Sequence, residues 1–193
     1  MKPFSIICAL LLFAYPFAVY YGLNNWGLNT IAGVLGFLFL VRFVGADNTR
    51  SKELKYIAWL SASAGIVLTF FALIFKNSQW FTYYPVIVNI LMLILFAQSL
   101  YQKESLIERF ARLQKPDLPG YAIAYTRNVT KVWCVFFVVN ACIALVTTFM
   151  SMQVWTLYNG LISYLLAGCL FLIEFIIRLR VQKKHEKASN NAK

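Results

Sequence analysis

Long apolar segments constrain this chain more than any other feature of its sequence. The hydrocarbon core of a bilayer is about 30 Å thick, so a helix that crosses it needs about 20 mostly apolar residues. Six segments meet this requirement, namely Phe4 to Tyr21, Leu28 to Val44, Tyr56 to Phe75, Phe81 to Tyr101, Val132 to Met150 and Thr156 to Ile177. Only 13% of the 193 residues are charged, against about 25% in soluble domains. The sequence therefore predicts an all-α, polytopic membrane protein with six transmembrane helices.

The basic residues predict how these helices are oriented. Of the 18 Lys and Arg residues, all but Lys76 fall before the first segment, after the sixth, in the connections after the second and fourth or, for Arg42, at the end of the second segment. Cytoplasmic connections retain Lys and Arg, so we expect three helical hairpins with both termini in the cytoplasm (N-in/C-in) and a location in a bacterial inner membrane. The predicted transmembrane domain spans residues 1–180, with cytoplasmic connections at 45–55 and 102–131 and a basic cytoplasmic tail at 181–193. Arg42 interrupts the end of the second segment and is expected to snorkel towards the headgroups.

The formal net charge of +11 is first a topology signal and second an attraction for anionic lipid headgroups. We therefore expect anionic lipids as partners and no nucleic acid.

The four cysteines lie inside predicted spans, so no disulfide is expected. These are Cys8, Cys134, Cys142 and Cys169.

The second cytoplasmic connection contains an amphipathic pattern. From Lys103 to Lys115, Leu106, Phe110 and Leu113 recur at helical spacing, and charged residues take the other positions. This pattern predicts an interfacial helix near residues 103–115, which is either a simple surface helix or a docking site for a soluble partner. The candidate docking face consists of Lys103, Arg109, Arg112, Lys115, Arg127 and Lys131.

Tryptophans and small residues mark the ends and contacts of the predicted helices. Each hairpin leads from a basic residue across one span to a Trp, and these are Trp26, Trp80 and Trp155. Either a three-fold repeat or an aromatic belt at the outer interface explains this spacing. Small residues four apart, such as Ser61 with Gly65, predict close helix–helix contacts.

The sequence offers little catalytic chemistry. Its only histidine, His185, lies in the predicted tail, so a His-based metal site and a Ser-His-Asp triad are not expected. No nucleotide-binding or metalloprotease motif is present. We therefore expect no metal, no cofactor and a non-catalytic protein.

Polar residues inside the predicted spans are the best site candidates, because burying them in hydrocarbon is costly unless they are paired. They are Glu174, Arg178, Asn89, Asn140 and Asn159. Glu174 and Arg178 stand four residues apart, which predicts either an interfacial ion pair or a proton or headgroup site. The asparagines either hold helices together or contact a ligand.

Several stretches resemble a family of small uncharacterised proteobacterial inner-membrane proteins. They are Pro116-Asp-Leu-Pro119, Tyr125-Thr-Arg-Asn-Val-Thr130, Val132-Trp-Cys-Val-Phe-Phe137 and Trp155-Thr-Leu-Tyr-Asn-Gly-Leu-Ile-Ser-Tyr164, followed by Glu174 and Arg178. The resemblance covers chiefly residues 80–180. Members of this family are often labelled "ketosynthase" and are encoded among genes for aryl polyene pigments and related type II fatty-acid-like pathways. The resemblance implies an association with acyl chains carried on acyl carrier protein.

The ketosynthase label itself conflicts with the residues. That reaction needs a nucleophilic cysteine beside histidines in a soluble α/β domain, whereas Cys134 lies in a predicted span without a nearby imidazole. Our first hypothesis is a non-catalytic membrane component of an aryl polyene or related acyl-chain pathway, which docks acyl carrier protein or acyl-transfer enzymes. The second is a small transporter or flippase for a hydrophobic or lipid-linked product, and the third is a membrane-embedded acyl-modifying enzyme. The sequence leaves open whether the chain forms a homo-oligomer.

Overall fold

A computed structural model describes residues 14–48, 52–114 and 116–191, and this part of the chain is all-α. It contains five helical stretches that are long and apolar enough to cross a membrane, as in a multi-pass membrane protein. They are Gly27–Gly45, Lys55–Ile74, Gln79–Leu100, Gly120–Thr148 and Met152–Lys183. These five stretches match the second to sixth predicted segments. Most of the first segment, Phe4 to Tyr21, lies outside the described residues.

The apolar segments become helices because, in hydrocarbon, backbone N–H and C=O groups have to be paired within the segment. In chain order, the helices are α1 Tyr15–Asn25, α2 Gly27–Gly45, α3 Lys52–Ile74, α4 Gln79–Thr82, α5 Tyr84–Leu100, α6 Leu106–Gln114, α7 Gly120–Thr148, α8 Met152–Leu157 and α9 Ser163–Asn191. A 3₁₀ turn, Ala46–Asn48, follows α2, and a π-helical segment, Tyr158–Ile162, joins α8 to α9.

Successive spans run antiparallel, so the bundle has two different ends. Short turns lie at one end, which we call the turn end: Trp26 between α1 and α2, residues 75–78, and residues 149–151. Gly27 has a φ of +78°, a backbone conformation that glycine adopts without steric cost. The longer connections lie at the opposite end, which we call the connection end; there the Arg127 guanidinium on α7 donates to the Leu100 carbonyl at the end of α5.

Close packing of α2 on α3 depends on a glycine. A Cβ atom at Gly65 would lie 2.4 Å from the ring of Phe39, so only glycine admits this approach. This confirms the close contact predicted from Ser61 and Gly65. Phe39 also contacts Tyr84, with ring centroids 5.0 Å apart, and Tyr84 lies 4.5 Å from Tyr15 by the same measure. An aromatic core thus joins α1, α2 and α5.

The fourth span is interrupted between α4 and α5, next to Pro85. Side chains from other helices satisfy the carbonyl groups that this break exposes. The Tyr15 hydroxyl donates to the Phe81 carbonyl at 2.9 Å, and the Trp155 indole donates to the Thr82 carbonyl at 3.0 Å. The expectation that Trp155 belongs to an interfacial belt is therefore wrong, since its side chain is 1% exposed inside the bundle.

The second connection is shorter and more ordered than predicted. The interfacial helix is α6, Leu106–Gln114, and α7 already begins at Gly120 rather than near Val132. Two residues of α6 depart from the predicted pattern. Glu108, predicted on the charged side, is 2% exposed, and Leu113, predicted on the apolar side, is 71% exposed, whereas Leu106 is buried as predicted. A carboxylate can be buried here because the Arg112 guanidinium binds it at 2.8 Å.

The last helix extends further than a single span requires. α9 continues to Asn191, so the predicted polar tail begins as a continuation of the sixth helix. Many large apolar side chains of α9 are exposed, including Leu165, Phe171 and Ile173. Such a surface fits contact with lipid acyl chains.

Candidate functional site

A cavity of about 270 Å³ lies inside the bundle, with walls from α1, α2, α3, α5, α7, the π-helical segment and α9. Its lining combines apolar and aromatic side chains with polar ones. The polar lining residues are Tyr15, Arg42, Ser61, Tyr84, Asn89, Asn140, Asn159, Ser163 and Tyr164. We call this space the central cavity.

Two asparagines of the central cavity lie deep within their helices, away from the turn end. Asn140 is eight residues before the end of α7, which corresponds to about 12 Å at about 1.5 Å per residue. Asn89 is ten residues after the start of α4, or about 15 Å by the same rise. Arg42, by contrast, is three residues before the end of α2 at the connection end, so the cavity extends from these amides towards that end.

Asn89 and Asn140 form one hydrogen-bonded chain across α5, α7 and the π-helical segment. The Asn140 amide nitrogen donates to the Asn89 side-chain oxygen at 3.0 Å, and the Tyr158 hydroxyl donates to the Asn140 side-chain oxygen at 2.8 Å. The Asn89 nitrogen donates to the Pro85 carbonyl at 2.8 Å. These amides therefore hold helices together, as one of the two hypotheses expected, and they also line the cavity.

Asn159 belongs to a separate set of contacts. Its side-chain nitrogen donates to the Thr147 hydroxyl at 3.1 Å and to the Trp155 carbonyl at 2.9 Å. It lies in the π-helical segment next to Gly160, where a Cβ atom would come within 2.9 Å of the Phe17 ring. π-Helical insertions occur frequently at functional sites.

Arg42 is the cavity residue that the sequence analysis placed elsewhere. Instead of extending only towards the headgroups, its side chain lines the central cavity, and its Nε donates to the Ser61 hydroxyl at 3.2 Å. The sequence feature that could have identified Arg42 as a cavity residue is its position inside an apolar segment, where an arginine marks a functional residue in many membrane proteins. Ser61, Tyr84 and Tyr164 gave no such signal.

Glu174 and Arg178 lie outside the central cavity. The Tyr125 hydroxyl donates to the Glu174 carbonyl at 3.0 Å and to its carboxylate at 3.3 Å. Arg178 Nε is 3.8 Å from the same carboxylate. The five predicted site residues are therefore divided between the cavity and an interhelical contact of α7 with α9 near the connection end.

The candidate docking face also divides into two groups. Arg109, Arg112 and Arg127 bind groups of the connection itself: the side chain of Gln102, the carboxylates of Glu104 and Glu108, and the Leu100 carbonyl, respectively. Lys103 and Lys131 are exposed, and among the described residues no ion pair or hydrogen bond is found for either side chain. Lys115 lies outside the described residues.

A second concavity lies beside this connection, between α3, α5 and α6. Its volume is about 430 Å³, and it is lined by Lys52, Tyr56, Ile57, Leu60, Leu95, Gln98, Ser99, Gln102, Leu106 and Arg109. Its walls are mostly apolar, while Lys52 and Arg109 supply positive charge at its rim. We call it the connection groove.

Neither concavity shows a metal-binding arrangement. Within the described residues, no three His, Cys, Asp or Glu side chains come together as they would around a metal ion.

Comparison of the chain with protein families, curated proteins and solved structures finds no match.

Proposed function

We propose that this protein is a non-catalytic membrane component of an aryl polyene or related acyl-chain pathway, which docks a soluble acyl carrier protein at the inner membrane. The connection groove carries this proposal. It combines apolar walls, which suit an acyl chain, with cations at the rim, which suit an acidic carrier. The resemblance noted for residues 80–180 points to the same pathway class.

The proposal includes a topology. Six spans in three hairpins, with both termini and the connection groove in the cytoplasm, would bring the groove to the compartment that contains acyl carrier proteins. The bias of the basic residues supports this orientation, since Lys76 is the one Lys or Arg predicted on the opposite side.

Only part of the docking face predicted from the sequence suits a test of docking. Reversing Arg109, Arg112 and Arg127 would disrupt contacts within the second connection and between α7 and the end of α5. Lys52 and Lys103 are exposed and suit a test of docking better.

The test measures binding of acyl carrier protein to the purified protein in nanodiscs. We expect Lys52→Glu combined with Lys103→Glu to weaken binding at least about tenfold, because attraction at Lys52 on the rim and at Lys103, next to the groove residue Gln102, becomes repulsion. The matched control is Lys76→Glu, which makes the same kind of change at the turn end and should leave the affinity unchanged. Equal affinities for the double variant and the wild type would contradict the proposal.

A variant that fills the groove distinguishes binding of the acyl chain from electrostatic attraction to the carrier protein. Leu60→Trp should remove the preference for acylated over unacylated carrier, since Leu60 lines the groove. Val67→Trp places the same side chain at an exposed position further along α3 and should preserve that preference. A preference that persists in Leu60→Trp would show that the acyl chain binds elsewhere.

The second candidate function is a small transporter or flippase for a hydrophobic or lipid-linked product. The π-helical segment Tyr158–Ile162 favours it, because this segment interrupts the last span beside the central cavity. A transporter does not need the rim cations of the connection groove. Normal product distribution in cells that carry the Lys52 and Lys103 reversals would therefore favour transport over docking.

A further inference from the structure

The central cavity brings a permanent positive charge to hydrogen-bonding groups inside the helical bundle. Arg42 stays protonated in proteins, and its contact with Ser61 holds the guanidinium beside the cavity at the interface of α2 and α3. The Tyr84 hydroxyl and the Asn140 amide line the same space. An amide nitrogen has two N–H groups, and only one of those of Asn140 is needed for the bond to Asn89.

The remaining walls are apolar. Val88, Met92 and Phe136 line the cavity together with these polar groups. Its volume of about 270 Å³ is just below the range of about 300–1,000 Å³ typical of small-molecule sites. It suits the polar end of one chain and a few adjoining carbons, and it is too small for a two-chain phospholipid.

Entry from the bilayer selects among anionic groups. A ligand that enters in this way has to cross hydrocarbon, where an isolated charge is costly. A carboxylic acid can cross in its neutral form and then release its proton to water, because a neighbouring cation favours the charged form. A phosphate ester keeps a negative charge near neutral pH and lacks this route.

We propose that the central cavity binds the carboxylate end of a single-chain fatty acid that enters from the bilayer. Its oxygens accept hydrogen bonds from Arg42 and from the neighbouring hydroxyl and amide groups, while the first few carbons of its chain lie among the apolar wall residues. This site is separate from the connection groove, so the inference does not depend on the proposed docking of a carrier.

The test uses palmitic acid labelled with ¹³C at the carboxyl carbon and the full-length protein in phosphatidylcholine nanodiscs. We expect a carboxyl resonance that is missing from protein-free nanodiscs, saturates at one per chain, and titrates at lower pH than palmitate in lipid alone. Arg42→Gln should weaken binding by about tenfold to a hundredfold, because charge-assisted hydrogen bonds are lost. Arg178→Gln, which removes a cation outside the cavity, should bind as the wild type does.

A second variant tests the proposal even if Arg42→Gln fails to fold. Met92→Trp keeps every polar group and fills the cavity, so it should abolish the bound resonance while hydrogen exchange of α6, which does not line the cavity, is unchanged. A bound resonance that persists in Met92→Trp, or equal affinity for methyl palmitate, would overturn the inference. Tighter binding of a lysophosphatidic acid would also overturn it, because the site would then select phosphate over carboxylate.

Discussion

The carboxylate of Glu108 is buried at the surface of the bundle, and the same guanidinium reaches it twice. Arg112 Nε lies 3.1 Å from Glu108 Oε1 and Nη2 lies 2.8 Å from it. Arg112 also donates to the Pro116 carbonyl at 2.9 Å. At the residue scale, this pair determines which side of α6 faces the bundle, because Glu108 cannot be buried without its partner.

Neutralising Glu108 should loosen α6. In Glu108→Gln, the amide loses the charge-assisted bonds to Arg112, and we expect hydrogen exchange of residues 106–114 to accelerate about tenfold. Glu104→Gln is the matched control, because Glu104 is more exposed and lies 3.3 Å from Arg112. Equal acceleration in both variants would show that burial of Glu108 does not hold α6 in place.

The same pair should be insensitive to moderate alkali. The hydrogen bond to Glu108 is the largest cause that raises the pKa of Arg112 above its ordinary value. A cation with a raised pKa stabilises the fold fully below its unfolded-state pKa and loses that contribution only as the pH rises through the folded-state value. Exchange in α6, corrected for its intrinsic pH dependence, should therefore not change between pH 7 and pH 9.

At the element scale, the contact of α2 with α3 depends on the absence of a side chain at Gly65. Gly65→Ala would place a methyl group 2.4 Å from the Phe39 ring, and that ring is buried in the aromatic core. We expect a loss of about 1–3 kcal/mol in unfolding free energy, as for other overpacked cores, measured by chemical denaturation in detergent. Gly33→Ala on α2 is the control, since a Cβ atom there meets nothing within 4 Å. A stability equal to that of Gly33→Ala would mean that the two helices can move apart without cost.

Helices could be predicted from this sequence more fully than the contacts between them. Apolar length identified the second to sixth segments, and five described stretches correspond to them. The spacing of Ser61 and Gly65 also predicted a close contact, because small residues four apart lie on one helix face. The burial of Trp155 could not be predicted in this way, since its hydrogen-bond partner, Thr82, is 73 residues away along the chain.

The candidate sites were predictable only in part, for the same reason. Asn89 and Asn140 were recognised as polar residues in spans, but the bond between them joins positions 51 residues apart. Arg42 was recognised as an interruption, while the cavity beside it arises from seven helical elements together. The resemblance to the aryl polyene family and the docking function stay predictions.

At the scale of the whole molecule, the proposed orientation can be tested directly. In a variant without native cysteines, we expect Lys76→Cys to react with a membrane-impermeant maleimide in spheroplasts, and Lys103→Cys to react only after the membranes are disrupted. Both positions are exposed, so a difference in labelling reports the side of the membrane. Equal labelling in intact spheroplasts would contradict the N-in/C-in arrangement.

The continuous last helix has an electrostatic consequence. From Met152 to Asn191 the helical chain extends about 60 Å at about 1.5 Å per residue, whereas a bilayer with its headgroups is about 40–45 Å thick. A helix of this length that crosses a bilayer upright exceeds it by about 15 Å, or nearly two Debye lengths at physiological ionic strength, where one Debye length is about 8 Å. At that distance a lipid surface potential is largely screened, so a helix of this length extends beyond the reach of headgroup charge.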